Sequence, residues 1–400
     1  LHLFYNFEEG YKVSALICFF IISTSYLISY FGKGQTYMAV LSAAQEKYVY
    51  SLIFNGVKLL CDILIVVVTI KFKTLESIAI VILAMKILEE IINRIVVKKK
   101  YPELHEIARK DTSMVRMTKD LAWTQLGYLI LNNVDALLLM GFNGPVMVSI
   151  YTTYNYILRF LTEIASRVEL SSVYSFGNVF AKKEEKRVYP LFKEYMMMFI
   201  LIAFSMCLTF MIGIRGFVSV WVGKENYILD YITIVLFTST SFLNILYFPL
   251  VALINADGLF KDNKKHIFIC ASVNLILSII LINYLGINGI LLGTGVAFLV
   301  NIALKSNLIS KKITKEIKLS NILKYYIITI ILFVVLSVAL KPVENYFLLT
   351  AGSFITTILK LGIIFIIITL LTSLILYVVS NDAKNLFRRL LNLIKRKLKK

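Results

Sequence analysis

Apolar residues in this chain neither alternate nor mark a narrow stripe; they run in blocks of about 20 residues, the length one helix needs to cross a bilayer. The blocks predict spanning helices at about 11–31, 51–70, 75–97, 118–142, 146–170, 194–215, 228–254, 266–284, 287–308, 323–341 and 354–379, eleven in all. Pro249 falls inside the seventh and predicts a kink there, since proline removes a backbone donor that neighbouring helices must make good. Composition excludes an ordinary soluble domain. Hydrophobic residues make up 58% of the 400 and charged ones 17%, against about 45–50% and about 25% in soluble proteins.

Four blocks break the apolar rule in a regular way. The fifth carries Asn155, Arg159, Glu163 and Arg167 at intervals of four, which places them on one helix face. The fourth has Gln125, Tyr128, Asn132 and Asp135 on one face. The second has Asn55, Lys58 and Asp62, and the third Lys86, Glu89, Glu90, Asn93 and Arg94. A charge at the bilayer centre costs roughly 2.5–3.5 kcal/mol on insertion scales, so such stripes face water, a partner or a polar cargo. Pairing within helices, Glu163 with Arg159 and Arg167 or Lys58 with Asp62, accounts for part of the charge. The simplest arrangement turns all four stripes toward one aqueous cavity with cations to spare. That suits an anionic cargo such as a lipid diphosphate, because guanidinium grips phosphate oxygens in pairs. Asp135 is the acid nearest the midplane of the fourth span. It reads either as an ion-coupling carboxylate, able to cycle a proton or ligate Na⁺, or as a hydrogen-bond acceptor that packs helices.

The net charge of +19 is a matter of topology. Lys and Arg collect in alternate connections: 98–119, 182–193, 261–265, 305–324 and the tail. The intervening ones, around Gly144, Gly223, Gly286 and Glu344, are short or nearly neutral. The positive-inside rule puts the basic set and the C-terminus in the cytoplasm. No segment offers a base-reading motif, so nucleic acid is not an expected partner. In 381–400, Leu386, Phe387, Leu390, Leu391, Ile394 and Leu398 form an apolar face against Arg and Lys, the pattern of a helix lying on anionic lipid.

The chemistry of an enzyme is missing. Cys18, Cys61, Cys207 and Cys270 lie in apolar runs without ligand spacing, and His2, His105 and His266 fall near predicted ends or loops. No metal site, cofactor or catalytic residue is expected. Gly289 and Gly293 stand four apart, a spacing for close helix approach rather than for phosphate, since no Lys–Ser pair follows. Acids at Glu8 and Glu9 stand where a signal peptide carries cations.

Several segments taken in order resemble the bacterial polysaccharide (O-antigen and capsule repeat-unit) flippases of the MATE-like transporter superfamily. They are Ser25-Tyr26-Leu27-Ile28-Ser29-Tyr30, Ala43-Ala44-Gln45-Glu46-Lys47-Tyr48, Lys100-Tyr101-Pro102, Asn133-Val134-Asp135, Gly144 and Ser149-Ile150-Tyr151. After these come Ser175-Phe176-Gly177-Asn178, Trp221-Val222-Gly223, Ala256-Asp257-Gly258-Leu259 and the run Asn274 to Gly295. The resemblance implies an all-α integral membrane protein of about eleven transmembrane helices, a two-lobe bundle lacking the family's first three helices. On that template 1–97 is the remaining half of the N-terminal lobe, 98–117 a cytoplasmic interlobe loop and 118–308 a six-helix C-terminal lobe. Residues 309–380 are two accessory helices and 381–400 a basic amphipathic tail.

The resemblance also implies alternating access. The chain would turn an undecaprenyl-diphosphate-linked oligosaccharide across the bacterial inner membrane, for capsule, lipopolysaccharide O-antigen or exopolysaccharide assembly. Arg159, Arg167 and Lys58 would hold the diphosphate; Tyr128, Tyr154, Asn132 and Asn155 would meet sugars. Asp135 matches the family by context. Expected partners are that lipid-linked oligosaccharide, anionic lipids at the basic loops and tail, and a polysaccharide polymerase with its chain-length proteins. The alternatives are an ion-coupled multidrug antiporter of the same superfamily, a membrane glycosyltransferase or polymerase, and a scaffold without transport.

Overall fold

The computed structural model describes residues 9–32, 34–44, 46–102, 112–313 and 318–398. Its regular elements there are all helical: α1 Glu9–Phe31, α2 Gly34–Ala43, α3 Lys47–Phe72, α4 Leu75–Lys100, α5 Thr112–Ala181, α6 Val188–Val222, α7 Tyr231–Leu246, α8 Phe248–Ala256, α9 Phe260–Leu285, α10 Ile287–Lys312, α11 Leu319–Ala339, α12 Lys341–Leu349, α13 Phe354–Val379 and α14 Asn381–Leu398. Nine segments among the described residues are long and apolar enough to cross a membrane, and one of them, Ala122–Ala181, has 60 residues. That segment holds two spans, because α5 breaks at Gly144 (φ 79°, ψ 178°) and resumes at Pro145. Only glycine takes this backbone without strain, and proline's missing N–H costs nothing in the first turn of a helix. α4 has the length of a span, but its C-terminal half carries the charges that keep it out of that group. The chain is a multi-pass membrane protein.

The seventh predicted span divides as its proline requires. α7 ends at Leu246, Tyr247 carries the bend, and Pro249 sits in the first turn of α8. At the other end of α7, Asp230 accepts the N–H of Thr233 at 2.6 Å and caps the helix.

The described chain separates into two compact units, 1–111 and 112–400. In the first, α4 packs on α1 and α3, and a small core joins Tyr37, Leu41 and Val97. Outward apolar residues such as Phe20, Leu52 and Ile70 are 65–72% exposed, as lipid-facing side chains are in a membrane protein. The stripe of the third predicted span folds partly inward. Glu90 accepts the N–H of Gly34 at 2.9 Å, Glu89 pairs with Lys86 at 2.8 Å, and Asn93 is buried. Glu46, between α2 and α3, accepts the Tyr101 hydroxyl and pairs with Lys100, each at 2.7 Å.

Those two donors hold the Glu46 carboxyl below its usual 4.5. A depressed carboxyl contributes stability above its unfolded value and loses it as pH falls through the folded one. The α2–α4 contact should therefore loosen in acid. Protection of the Tyr101 amide, which donates to Val97, measured against its intrinsic exchange rate, should fall below about pH 4.5 in the wild type, and a Glu46→Gln variant should lack this step.

In the second unit α6 is the central helix, with most of its residues buried among α5, α7, α12, α13 and α14. Phe204 of α6 meets Phe242 of α7 edge-on, and Phe242 stacks on Phe333 of α11 with centroids 4.0 Å apart. α9 and α10 approach most closely. A Cβ at Gly289 would lie 2.4 Å from the Leu281 carbonyl oxygen, and one at Gly293 2.5 Å from Ser278 Oγ. Toward the end of α6, Arg215 Nη1 reaches both oxygens of Glu344 on α12 at 3.2 Å. The Glu344 side chain has no exposure at all, and Phe347 beside it packs on Gly216.

Candidate functional site

The turn at Gly144 folds the two limbs of α5, 112–143 and 145–181, back along each other. Tyr151 Oη donates to Asp135 at 3.1 Å, and Arg159 Nη2 donates to Asn133 Oδ1 at 3.0 Å. The close α9–α10 crossing then brings two more side chains to Asp135. Thr294 Oγ1 lies 3.0 and 3.3 Å from its carboxylate oxygens and 3.2 Å from Asn274 Oδ1. Asn274 donates to the Leu131 carbonyl at 3.1 Å and accepts from Ser278 at 2.9 Å.

A hydroxyl has one hydrogen, so Thr294 cannot satisfy Asp135 and Asn274 together. The cluster is thus rich in acceptor oxygens. Hard oxygen donors around a carboxylate are what a proton or a small cation requires. Asp135 is 4% exposed, so its charge depends on those few groups.

Asp135, Asn155 and Arg159 line one cavity of about 70 Å³ with Tyr151, Thr162, Phe237, Asn244, Thr294 and Phe298. A space of that size admits several waters or a small cation.

The other sequence candidates lie elsewhere. Arg167, two turns further along α5, is exposed and lines a separate cavity with α14. Tyr128 is half-buried, its ring 5.7 Å from Lys305 Nζ. Lys58 belongs to the first unit, is exposed, and forms no ion pair with Asp62 among the described residues. The Asn132 side chain, like Arg109 and the rest of 103–111, lies outside the described residues. Glu163 is exposed and forms no ion pair with Arg167. Tyr154 needs a correction as a sugar contact. It is fully buried, donating to the Tyr227 carbonyl at 2.9 Å and accepting the Leu229 N–H at 3.1 Å, so it fastens α5 to the connection before α7.

Sequence reading also missed partners of Asp135. Thr294 directly follows the packing glycine Gly293, and Asn274 opens the run that leads to it; neither is charged, so neither stands out in an apolar block. Lys305, on α10, is a fully buried ammonium that donates to Asn263 Oδ1. Among the described residues no cluster of three or more His, Cys, Asp or Glu could hold a metal ion.

These features define a polytopic helical membrane fold whose second bundle is built on a broken-helix hairpin and a tightly crossed helix pair. Among solved structures the chain is similar to the lipid II flippase MurJ in an inward closed conformation. The TM-score is 0.66 at 14% identity, over 94% of this chain and 77% of that one. No family model matches the sequence. No curated protein matches it significantly.

Proposed function

We propose that this chain is a flippase for a lipid-linked cargo in the bacterial inner membrane, and that the cargo is an undecaprenyl-diphosphate-linked oligosaccharide repeat unit. The carrying observation is a guanidinium and a buried carboxylate, Arg159 and Asp135, lining one cavity inside a fold similar to that of a protein titled a lipid II flippase. Arg159 supplies the grip on diphosphate oxygens. Asp135, with Thr294 and Asn274, is the ion-coupling centre, where a proton or Na⁺ binds and biases the alternation of access. Tyr128, Asn132 and Asn155 are secondary contacts of the cargo as it moves. The work is transport rather than bond chemistry. A polymerase and chain-length proteins on the outer side would consume the product.

The test is replacement of Arg159 by Ala. Surface polysaccharide should fall by at least about tenfold, the effect of losing about 1.4 kcal/mol of charge-assisted binding, while the protein still inserts. Normal polysaccharide in that strain would overturn the assignment. Asp135 shares its cavity with the rings of Tyr151, Phe237 and Phe298, which favours a second reading, a cation-exporting drug antiporter. Arg159 opposes it, since a fixed guanidinium repels a cationic drug. Sugar-independent ethidium efflux by the purified protein would reverse the choice.

A further inference from the structure

The tail helix does not lie free of the bundle. Ala383 and Leu386 of α14 are buried, and Phe387 packs edge-on against Tyr377, centroids 6.1 Å apart. Two ion pairs hold α14 to the start of α6: Lys193 with Asp382 at 2.9 Å and Arg389 with Glu194 at 3.0 Å. Docked this way, α14 closes one side of a groove against α5 and α6, with a volume of about 470 Å³. That is within the range of about 300–1,000 Å³ in which small-molecule sites fall.

The groove has two kinds of wall. Val168, Met198 and Leu386 form an apolar side, and Arg167 and Arg389 bring guanidiniums. A second hollow of about 220 Å³ continues from it, sharing Ser175, Glu194 and Arg389 and adding Lys182 and Arg187. Over the two, four cations face two carboxylates, Glu184 and Glu194, so the surplus is positive. These groups sit beside the basic connection 182–193, which the positive-inside rule assigns to the cytoplasmic leaflet, where anionic headgroups concentrate. A free phosphate has no use for the apolar wall, and a neutral lipid has none for the guanidiniums.

We propose that this groove binds an anionic phospholipid of the surrounding leaflet. Its phosphate sits with Arg167 and Arg389, its acyl chain runs along Val168, Met198 and Leu386, and the bound lipid staples α14 to the bundle. Arg167 then serves the resident lipid rather than the cargo.

The test compares thermal unfolding of the full chain in phosphatidylcholine nanodiscs with and without phosphatidylglycerol. Phosphatidylglycerol should raise the midpoint by several degrees. The Arg167→Gln/Arg389→Gln variant should lose the rise, measured against its own midpoint in pure phosphatidylcholine. Met198→Trp, which fills the apolar wall with the cations intact, should lose it too, and Lys311→Gln, an exposed cation on α10, should retain it. The proposal is overturned if phosphatidylglycerol has no effect on the wild type, if the rise survives in both groove variants, or if Lys311→Gln loses as much. It is also overturned if farnesyl diphosphate, a stand-in for the cargo, gives the Arg167/Arg389-dependent rise and phosphatidylglycerol does not. No transport is measured, so the result is independent of the cargo reading.

Discussion

On the flippase reading proposed above, Asp135→Asn is expected to remove a cation dependence of transport and to cut its rate by about 10–100-fold, the usual loss when a group supporting an ion site is replaced. The variant keeps the size of the side chain and one carbonyl oxygen, and the hydroxyls of Tyr151 and Thr294 can rotate to accept from the new amide. The fold should hold. What disappears is the negative charge, and with it the reason for a proton or Na⁺ to enter a cluster otherwise made of Thr294, Asn274 and Ser278 oxygens. The measurement is flipping of a lipid-linked oligosaccharide in proteoliposomes under imposed Na⁺ or pH gradients. The wild type should respond to one gradient and the variant to neither. A variant that flips at the wild-type rate with its gradient response intact would leave Asp135 as a packing acceptor.

The second large effect is structural. Arg215→Met leaves the Glu344 carboxylate, which has no exposure, without its guanidinium partner. Breaking a buried pair from one side costs about 3–5 kcal/mol, because the remaining charge stays desolvated. Thermal unfolding in detergent should show a markedly lower midpoint, and Arg215→Met/Glu344→Gln should recover most of it. Burial already pushes the Glu344 carboxyl above its usual 4.5, partly offset by Arg215. Without Arg215 the upward push is unopposed by that charge. A raised carboxyl contributes stability that is present below its unfolded value and lost as pH rises through the folded one. The single variant should therefore lose least in acid and most near neutrality. Equal loss at all pH values would mean that Arg215 acts through packing alone.

Much of this architecture is legible in the sequence because membrane helices announce themselves by length and apolarity. The break at Gly144-Pro145 and the bend at Pro249 are readable for the same local reason: each residue dictates its own backbone. The stripe on α5 is partly readable. A period of four correctly puts Asn155, Arg159 and Arg167 on one side of a helix, but says nothing about what stands opposite each turn. Asn133 and the Asp135 cavity face Arg159, whereas α14 faces Arg167. These partners lie up to more than 200 residues away in the chain, beyond the reach of any local pattern. The oxygen cluster is hidden for another reason. Thr294 and Asn274 become significant only because Gly289 and Gly293 let α9 and α10 come into backbone contact, and close packing is silent about which side chains it delivers. The amphipathic tail shows the converse. Its apolar face is plain in sequence, yet Leu386 covers protein in the fold.

The turn at Gly144 also bears on how the chain is made. With a single residue outside helical geometry between them, the two limbs of α5 are expected to enter lipid together as a helical hairpin. Arg159 then arrives already alongside Asn133, on the limb that carries Asp135. The penalty of roughly 2.5–3.5 kcal/mol for a solitary guanidinium at mid-bilayer is never met by the second limb alone. A polar side chain needed for the finished protein is thus escorted through biogenesis by its own neighbour in the chain.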